Sequence, residues 1–140
     1  NASSRAMIEA LRALCDLRVE HHRIAVLGDM LELGALTEDE HRKVGLLVAS
    51  AAIDLLVTVG AASRFIGAGA IEGGMNEDHV LHFDTSENAG RFLQDRITRG
   101  DVILVKGSQG IRCEKIVKEL MAAPERAAQL LVRQDKKGLV

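Results

Sequence analysis

Three apolar runs in this chain each end at a glycine with a polar residue close by. They are Ile24–Gly28, Leu55–Gly60 and Val102–Gly107, and a shorter apolar run covers residues 80–83. Continuous apolar runs of this length are typical of strands that are buried on both faces, as in parallel sheets. The pattern therefore predicts strands at 24–28, 55–59, 80–83 and 102–106.

Amphipathic segments separate these runs. Apolar residues at helical spacing predict helices over about residues 5–19, 38–51, 61–71, 85–98 and 108–121. Ser3 or Ser4 can cap the first helix, Thr37 begins a capping-box sequence, and Ser108 is expected to open the last helix. Residues 122–140 are assigned to a C-terminal tail of the same domain, helical in composition or mobile.

Strands that alternate with helices indicate an α/β fold. The order predicts an open, mainly parallel sheet with helices on both faces, a three-layer αβα arrangement. In such sheets ligands bind beyond the carboxyl ends of the strands. Asp29, Lys106 and Ser108 lie at or just after predicted strand ends, so we expect them to share one site.

Composition narrows the class of protein. The chain has 140 residues, 47% apolar and 27% charged, which predicts one globular domain. A net charge of −2 without a basic run disfavours nucleic acid and anionic membrane surfaces as partners. No apolar stretch is long enough to insert in a membrane and no leader is evident, so we expect a cytoplasmic protein and a monomer. The first residue, Asn1, suggests a domain of a longer polypeptide.

The segment Lys106–Ser108 combines an ammonium group, a glycine and a hydroxyl, and it could bind a phosphate or a carboxylate. The alternative is a solvated lysine followed by a helix cap. Asp29 could hold a substrate ammonium, a ribose hydroxyl or a hydrated magnesium ion, or it could simply cap the turn after its strand.

Other reactive residues carry weaker signals. His41 lies one turn into a predicted helix, where a histidine is more often structural than catalytic. Cys15 and Cys113 are expected to be small packing residues, and His79 and His82 lack companions at metal-ligand spacing. The sequence has no Walker phosphate loop, and Gly67–Glu72 does not complete a dinucleotide fingerprint.

Several motifs together resemble the C-terminal domain of the Mur ligases. They are the string Leu27–Gly34 (LGDMLELG), His41 and Gly45 in the spacing H-x-x-x-G, and Val105–Ser108 (VKGS). The resemblance covers about residues 1–121. Asn1-Ala2 is similar to the start of the family's N-A-N-P junction, but Ser3 and Ser4 stand where the family has Asn and Pro. Gln109 replaces the Arg that usually follows K-G-S in the family.

The resemblance implies a Rossmann-like domain of a three-domain ligase. Such enzymes use ATP and Mg²⁺, whose sites would lie mostly in the missing N-terminal and central domains. Within the family the motifs are most similar to members that join D-Ala-D-Ala to UDP-N-acetylmuramoyl-tripeptide through an acyl phosphate. By this resemblance Asp29, Lys106 and Ser108 would bind substrate and Asn1 would contact the nucleotide. A stand-alone α/β module that binds a small anion or a nucleotide without catalysis is the alternative.

Overall fold

Parallel strands form the centre of the molecule. The computed structural model describes residues 3–108, 113–121 and 129–135. The strands are β1 (Arg23–Gly28), β2 (Leu55–Val59), β3 (Val80–Phe83), β4 (Val102–Ser108) and β5 (Gln129–Asp135). They make one five-stranded sheet in the order β3-β2-β1-β4-β5, and every pairing is parallel. The predicted parallel α/β sheet is confirmed.

Helices cover both faces of this sheet. They are α1 (Ser4–Asp16), α2 (Thr37–Ser50), α3 (Arg64–Glu72), α4 (Ser86–Arg96) and α5 (Cys113–Met121), with short 3₁₀ turns at Gly34–Leu36 and Glu77–His79. Side chains of α1, α2 and α3 pack on one face, among them Met7, Val44 and Ile66. Leu93 of α4 and Ile116 of α5 pack on the other face. The three-layer αβα arrangement is therefore confirmed.

Helices α2 and α3 approach each other unusually closely. A Cβ added to Gly45 would lie 2.0 Å from the carbonyl oxygen of Ile66, and one added to Gly69 would lie 2.3 Å from that of Arg42. Only glycine permits backbones to meet at this distance. Arg42 also spans the crossing, because its guanidinium pairs with Glu72 of α3 and lies over the ring of Phe65. The H-x-x-x-G motif thus contains a helix-crossing residue.

Three sequence predictions about element ends are wrong. Residues 129–135 form β5, where a helical or mobile tail was expected, because pairing with β4 overrides the helical propensity of leucine, glutamine and arginine. Strand β4 continues to Ser108, paired with Asp135, so Ser108 does not open a helix. The predicted capping box is not formed, because a 3₁₀ turn runs directly into α2 and no side chain caps that helix. The Thr37 hydroxyl donates to the Gly34 carbonyl and does not accept from a helix amide.

Helix α1 starts at the same edge of the sheet as the carboxyl end of β1. Its cap is as predicted, since the Ser3 hydroxyl accepts a hydrogen bond from the Ala6 amide at 3.1 Å. The Ser4 hydroxyl then donates to Glu40 at 2.6 Å, and Glu40 is in the first turn of α2. The chain therefore enters the described domain beside the strand ends where ligands are expected.

Candidate functional site

A cleft of about 400 Å³ opens at the carboxyl ends of β1, β2 and β4. Asp29 follows β1, Gly60 follows β2 and Ser108 ends β4, so three strand ends meet there. The start of α4 and one residue of α5 complete the lining: Asp84, Thr85, Ser86, Glu87 and Lys115. The predicted position for a site, beyond the strand ends, therefore coincides with a cleft.

The Asp29 carboxylate is held at the floor of this cleft. Its Oδ1 accepts a hydrogen bond from the Ser63 amide at 2.8 Å. A Cβ added to Gly60, whose φ is +103°, would lie 2.7 Å from the same Oδ1. Gly60 therefore leaves the space that the carboxylate occupies, and β2 and the start of α3 together orient Asp29.

The peptide group between Asp29 and Met30 is bound from two sides. Its carbonyl oxygen accepts from the Ser108 amide at 3.1 Å. Its N–H, on Met30, donates to Nε2 of His41 at 3.0 Å. One peptide plane thus connects the end of β4 to helix α2, and Met30 itself is 1% exposed.

Ser108 brings an unsatisfied hydroxyl to the cleft. The residue is 5% exposed, and among the described residues its Oγ has no hydrogen-bond partner. A buried hydroxyl without a partner costs free energy, and a ligand in the cleft could supply that partner. Ser108 thus combines a backbone role, through its amide, with a side chain available for binding.

The structure does not bring Lys106 into this lining. Lys106 lies in β4 opposite Leu27 of β1 and is 3% exposed. By strand alternation it shares the face of Val102 and Leu104, which is the face covered by α1, α2 and α3. Asp29 and Ser108 therefore meet in the cleft, whereas Lys106 lies beneath the surface. Asn1 and Gln109 are outside the described residues.

Two groups in the cleft were missed by the sequence analysis. Asp84 directly follows β3, so the rule that identified Asp29 could have found it. Lys115 lies within α5, and its Nζ pairs with the Glu87 carboxylate at 2.7 Å. No sequence signal identifies Lys115, because only the packing of α5 beside α4 brings it to the cleft.

A histidine supports the Asp84 side of the cleft. Nδ1 of His82 lies 2.8 Å from the Thr58 hydroxyl, and Nε2 lies 3.4 Å from the Asp84 carboxylate. Burial lowers the pKa of His82 below its ordinary value, and the charge of nearby Arg64 lowers it further. His82 is therefore neutral near pH 7 and acts as a packing and hydrogen-bonding group there.

Carboxylates outnumber ammonium groups among the described residues that line the cleft. Asp29, Asp84 and Glu87 line it together with Lys115, and two of these carboxylates have a cationic partner: Asp84 lies 3.3 Å from Arg64, and Glu87 lies 2.7 Å from Lys115. In the part of the chain that is described, no three His, Cys, Asp or Glu side chains are grouped so as to hold a metal ion. Such a lining suits a ligand with an ammonium group better than a polyphosphate.

Comparison with known proteins defines the class. Residues 1–109 match the family described as Mur ligase, glutamate ligase domain. The chain therefore belongs to the Mur ligase family, and the resemblance seen in the LGDMLELG and VKGS strings is confirmed.

The relatives within this class share one name. The chain is 35% identical over 124 residues to UDP-N-acetylmuramoyl-tripeptide–D-alanyl-D-alanine ligase of Bacillus subtilis, covering 89% of this chain and 27% of the relative. It is 34% identical over 122 residues to the Escherichia coli protein of that name, covering 86% of this chain and 25% of the relative. The chain thus spans about a quarter of the length of these curated relatives.

Two solved structures of MurF ligases have the same fold as this chain. The MurF ligase of Thermotoga maritima, crystallised with ADP, superimposes with a TM-score of 0.70 at 26% identity, over 91% of this chain and 28% of that one. MurF from Acinetobacter baumannii gives a TM-score of 0.75 at 26% identity, over 87% of this chain and 26% of that one.

Proposed function

We propose that this chain is the C-terminal domain of an ATP-dependent ligase that joins D-alanyl-D-alanine to UDP-N-acetylmuramoyl-tripeptide in peptidoglycan precursor synthesis. The observation that carries the proposal is family membership together with relatives from two bacteria that share this name. Because the chain spans about a quarter of those relatives, its partners are N-terminal and central domains of the same polypeptide. The phosphate loop that the sequence lacks would lie in the central domain.

The proposed reaction passes through an acyl phosphate. The tripeptide carboxylate takes the γ-phosphoryl group of ATP, and ADP leaves. The ammonium group of D-Ala-D-Ala first loses a proton to solvent. The resulting free amine attacks the activated carbonyl carbon and the C–N bond forms. The nitrogen then loses a second proton, and phosphate departs with the former carboxylate oxygen. The described residues group no set of Mg²⁺ ligands, so we derive no step through the metal.

The cleft fits the dipeptide substrate by charge. A dipeptide carries an ammonium group at one end and a carboxylate at the other. Asp29 and Asp84 would attract the ammonium end, while the Ser108 hydroxyl and the Lys115 ammonium would bind the carboxylate end. Holding the amine in a fixed place converts its attack into an effectively unimolecular step.

Two predicted contacts remain hypotheses. Lys106 is buried and does not line the cleft, so it would act on the carboxylate end as a buried charge and not through contact. In that case Lys106→Met, measured in the full-length enzyme, raises KM for the dipeptide and leaves KM for ATP unchanged. Asn1 would contact the nucleotide at the junction with the central domain, by analogy with the family's N-A-N-P motif.

The proposal also includes the localisation and the oligomeric state of the protein. The described residues contain no helix long and apolar enough to cross a bilayer. Nucleotide-linked substrates and ATP are found in the cytoplasm, so we place the enzyme there and expect it to act as a monomer.

Reconstitution of the full-length enzyme tests the function. The gene that encodes this chain should be expressed in full and incubated with ATP, Mg²⁺, UDP-N-acetylmuramoyl-tripeptide and D-Ala-D-Ala. We expect ADP, phosphate and a UDP-linked pentapeptide in equal amounts. If the gene encodes no domain with a phosphate loop, and the protein forms neither ADP nor a ligated product, the stand-alone binding module becomes the better interpretation.

A further inference from the structure

The residue His41 lies outside the cleft, yet it contacts the peptide group on which two cleft residues depend. It is fully buried in the first part of α2 and is not among the residues that line the cleft. Its two ring nitrogens have different partners. Nδ1 lies 2.6 Å from the Thr37 carbonyl oxygen, and Nε2 lies 3.0 Å from the Met30 amide.

These partners determine the state of the ring. A carbonyl oxygen only accepts hydrogen bonds, so Nδ1 must carry the hydrogen. A backbone N–H only donates, so Nε2 must be unprotonated and accept. His41 is therefore neutral and in one tautomer, which joins the start of α2 to the segment after β1.

The Met30 amide is the important contact, because its peptide group is shared with the cleft. The carbonyl of the same peptide unit belongs to Asp29 and accepts from the Ser108 amide at 3.1 Å. Peptide groups are planar, so fixing the N–H also fixes the direction of the carbonyl. Through one rigid plane, His41 is thus connected both to Asp29, which carries the carboxylate, and to Ser108, whose hydroxyl has no partner among the described residues.

We propose that His41 is a positioning residue for the cleft, which fixes the spacing of the Asp29 carboxylate and the Ser108 hydroxyl through the Asp29–Met30 peptide. The inference deepens the proposed function and rests on it for the identity of the substrate. A structural histidine would merely add stability. A positioning histidine also sets the geometry in which both ends of one ligand are held.

Two substitutions test the contacts of the two ring nitrogens separately. The amide of Gln reaches the place of Nε2, so His41→Gln retains an acceptor for the Met30 N–H. The amide of Asn reaches the place of Nδ1, so His41→Asn retains the donor to Thr37 and leaves the Met30 N–H unsatisfied. Val48→Ala, on the same helix and 1% exposed, is the matched control, because it removes buried volume from α2 and leaves both hydrogen bonds of His41 in place.

The experiment uses the full-length protein and two independent measurements. In steady-state ligation, His41→Asn should raise KM for D-Ala-D-Ala by about tenfold or more, as expected for a misplaced binding group. KM for ATP should stay unchanged, and His41→Gln should recover most of the loss. In amide hydrogen exchange, the Met30 amide should lose protection in His41→Asn and keep it in His41→Gln and Val48→Ala. The exchange rate of the Ser108 amide should change only in His41→Asn.

The outcomes are distinct. If Val48→Ala raises KM for the dipeptide as much as His41→Asn does, or if His41→Gln restores nothing, His41 is only a packing residue. If the wild-type enzyme does not ligate D-Ala-D-Ala, the proposed function fails. The exchange rates of the Met30 and Ser108 amides still decide whether His41 controls the geometry of the cleft. If the exchange rate of the Ser108 amide is unchanged in His41→Asn, the inference is overturned.

Discussion

Replacing Gly45 with alanine tests the closest helix crossing in the molecule. In an exposed helix this change would be favourable by about 1 kcal/mol, because alanine is the better helix former. Here the new Cβ would lie 2.0 Å from the Ile66 carbonyl oxygen, 2.6 Å from the Ala70 nitrogen and 2.9 Å from the Gly69 Cα. All three atoms belong to the backbone of α3, so no side chain can rotate away.

The magnitude follows from the displacement that the clash requires. A carbon and a carbonyl oxygen normally stay at least about 3.3 Å apart, so α2 and α3 must separate by about 1 Å. Overpacking of a core costs about 1–3 kcal/mol, and a clash with backbone lies at the upper end of that range. After the gain in helix propensity, we expect a net loss of about 2 kcal/mol in the free energy of unfolding.

Urea denaturation of the 140-residue chain measures this loss, with Gly67→Ala as the control. Gly67 is also helical, but its added Cβ would meet only the Val80 Cγ1, at 3.2 Å. The urea midpoint of Gly45→Ala should fall by about 1 M with an unchanged m-value, and Gly67→Ala should stay close to wild type. Equal midpoints for the two variants would refute the close approach of α2 and α3.

Three further predictions concern the cleft and its surroundings. Asp29→Asn in the full-length enzyme should lower turnover much more than stability, and a loss of several kcal/mol in thermal unfolding would instead make Asp29 structural. Because the folded-state pKa of His82 lies below its ordinary value of 6.5, the unfolded state binds a proton more readily than the native state does. The urea midpoint should therefore fall as pH drops below about 6.5, and His82→Gln should flatten that slope; an equal slope in both proteins would contradict it. The isolated chain should fold as a monomer and release no phosphate from ATP, and activity that survives repurification would show that the chain is catalytically complete.

The fold was largely predictable because the strands β1, β2 and β4 are buried on both faces. Burial of this kind demands continuous apolar runs, and β2 agrees with its predicted bounds. The bounds of β3 also agree, although its residues are only partly buried. The fifth strand was missed because its short apolar run, Leu130–Val132, lies among residues that are equally common in helices. This segment becomes a strand because it pairs with the outer edge of β4, and the sequence does not show which strand edge is available for pairing.

The location of the candidate site was predictable, but the set of residues that line it was less so. Asp29 and Ser108 were identified because parallel strands end at one edge of a sheet. Lys106 does not line the cleft, because along β4 it shares the face of Val102 and Leu104, and the sequence does not display which helices cover that face. Lys115 and His41 lie on helices, and the roles proposed for them follow from packing distances that no local motif encodes.

The position of the first helix has a consequence for the whole proposed enzyme. Because α1 starts beside the carboxyl end of β1, where Ser4 is bonded to Glu40, a preceding domain would be attached at the cleft's own edge of the sheet. A short flexible linker at this position would hold two domains at an effective concentration in the millimolar range. In the proposed enzyme the domains would then need only a weak affinity to close over the dipeptide, and they could separate again after each ligation.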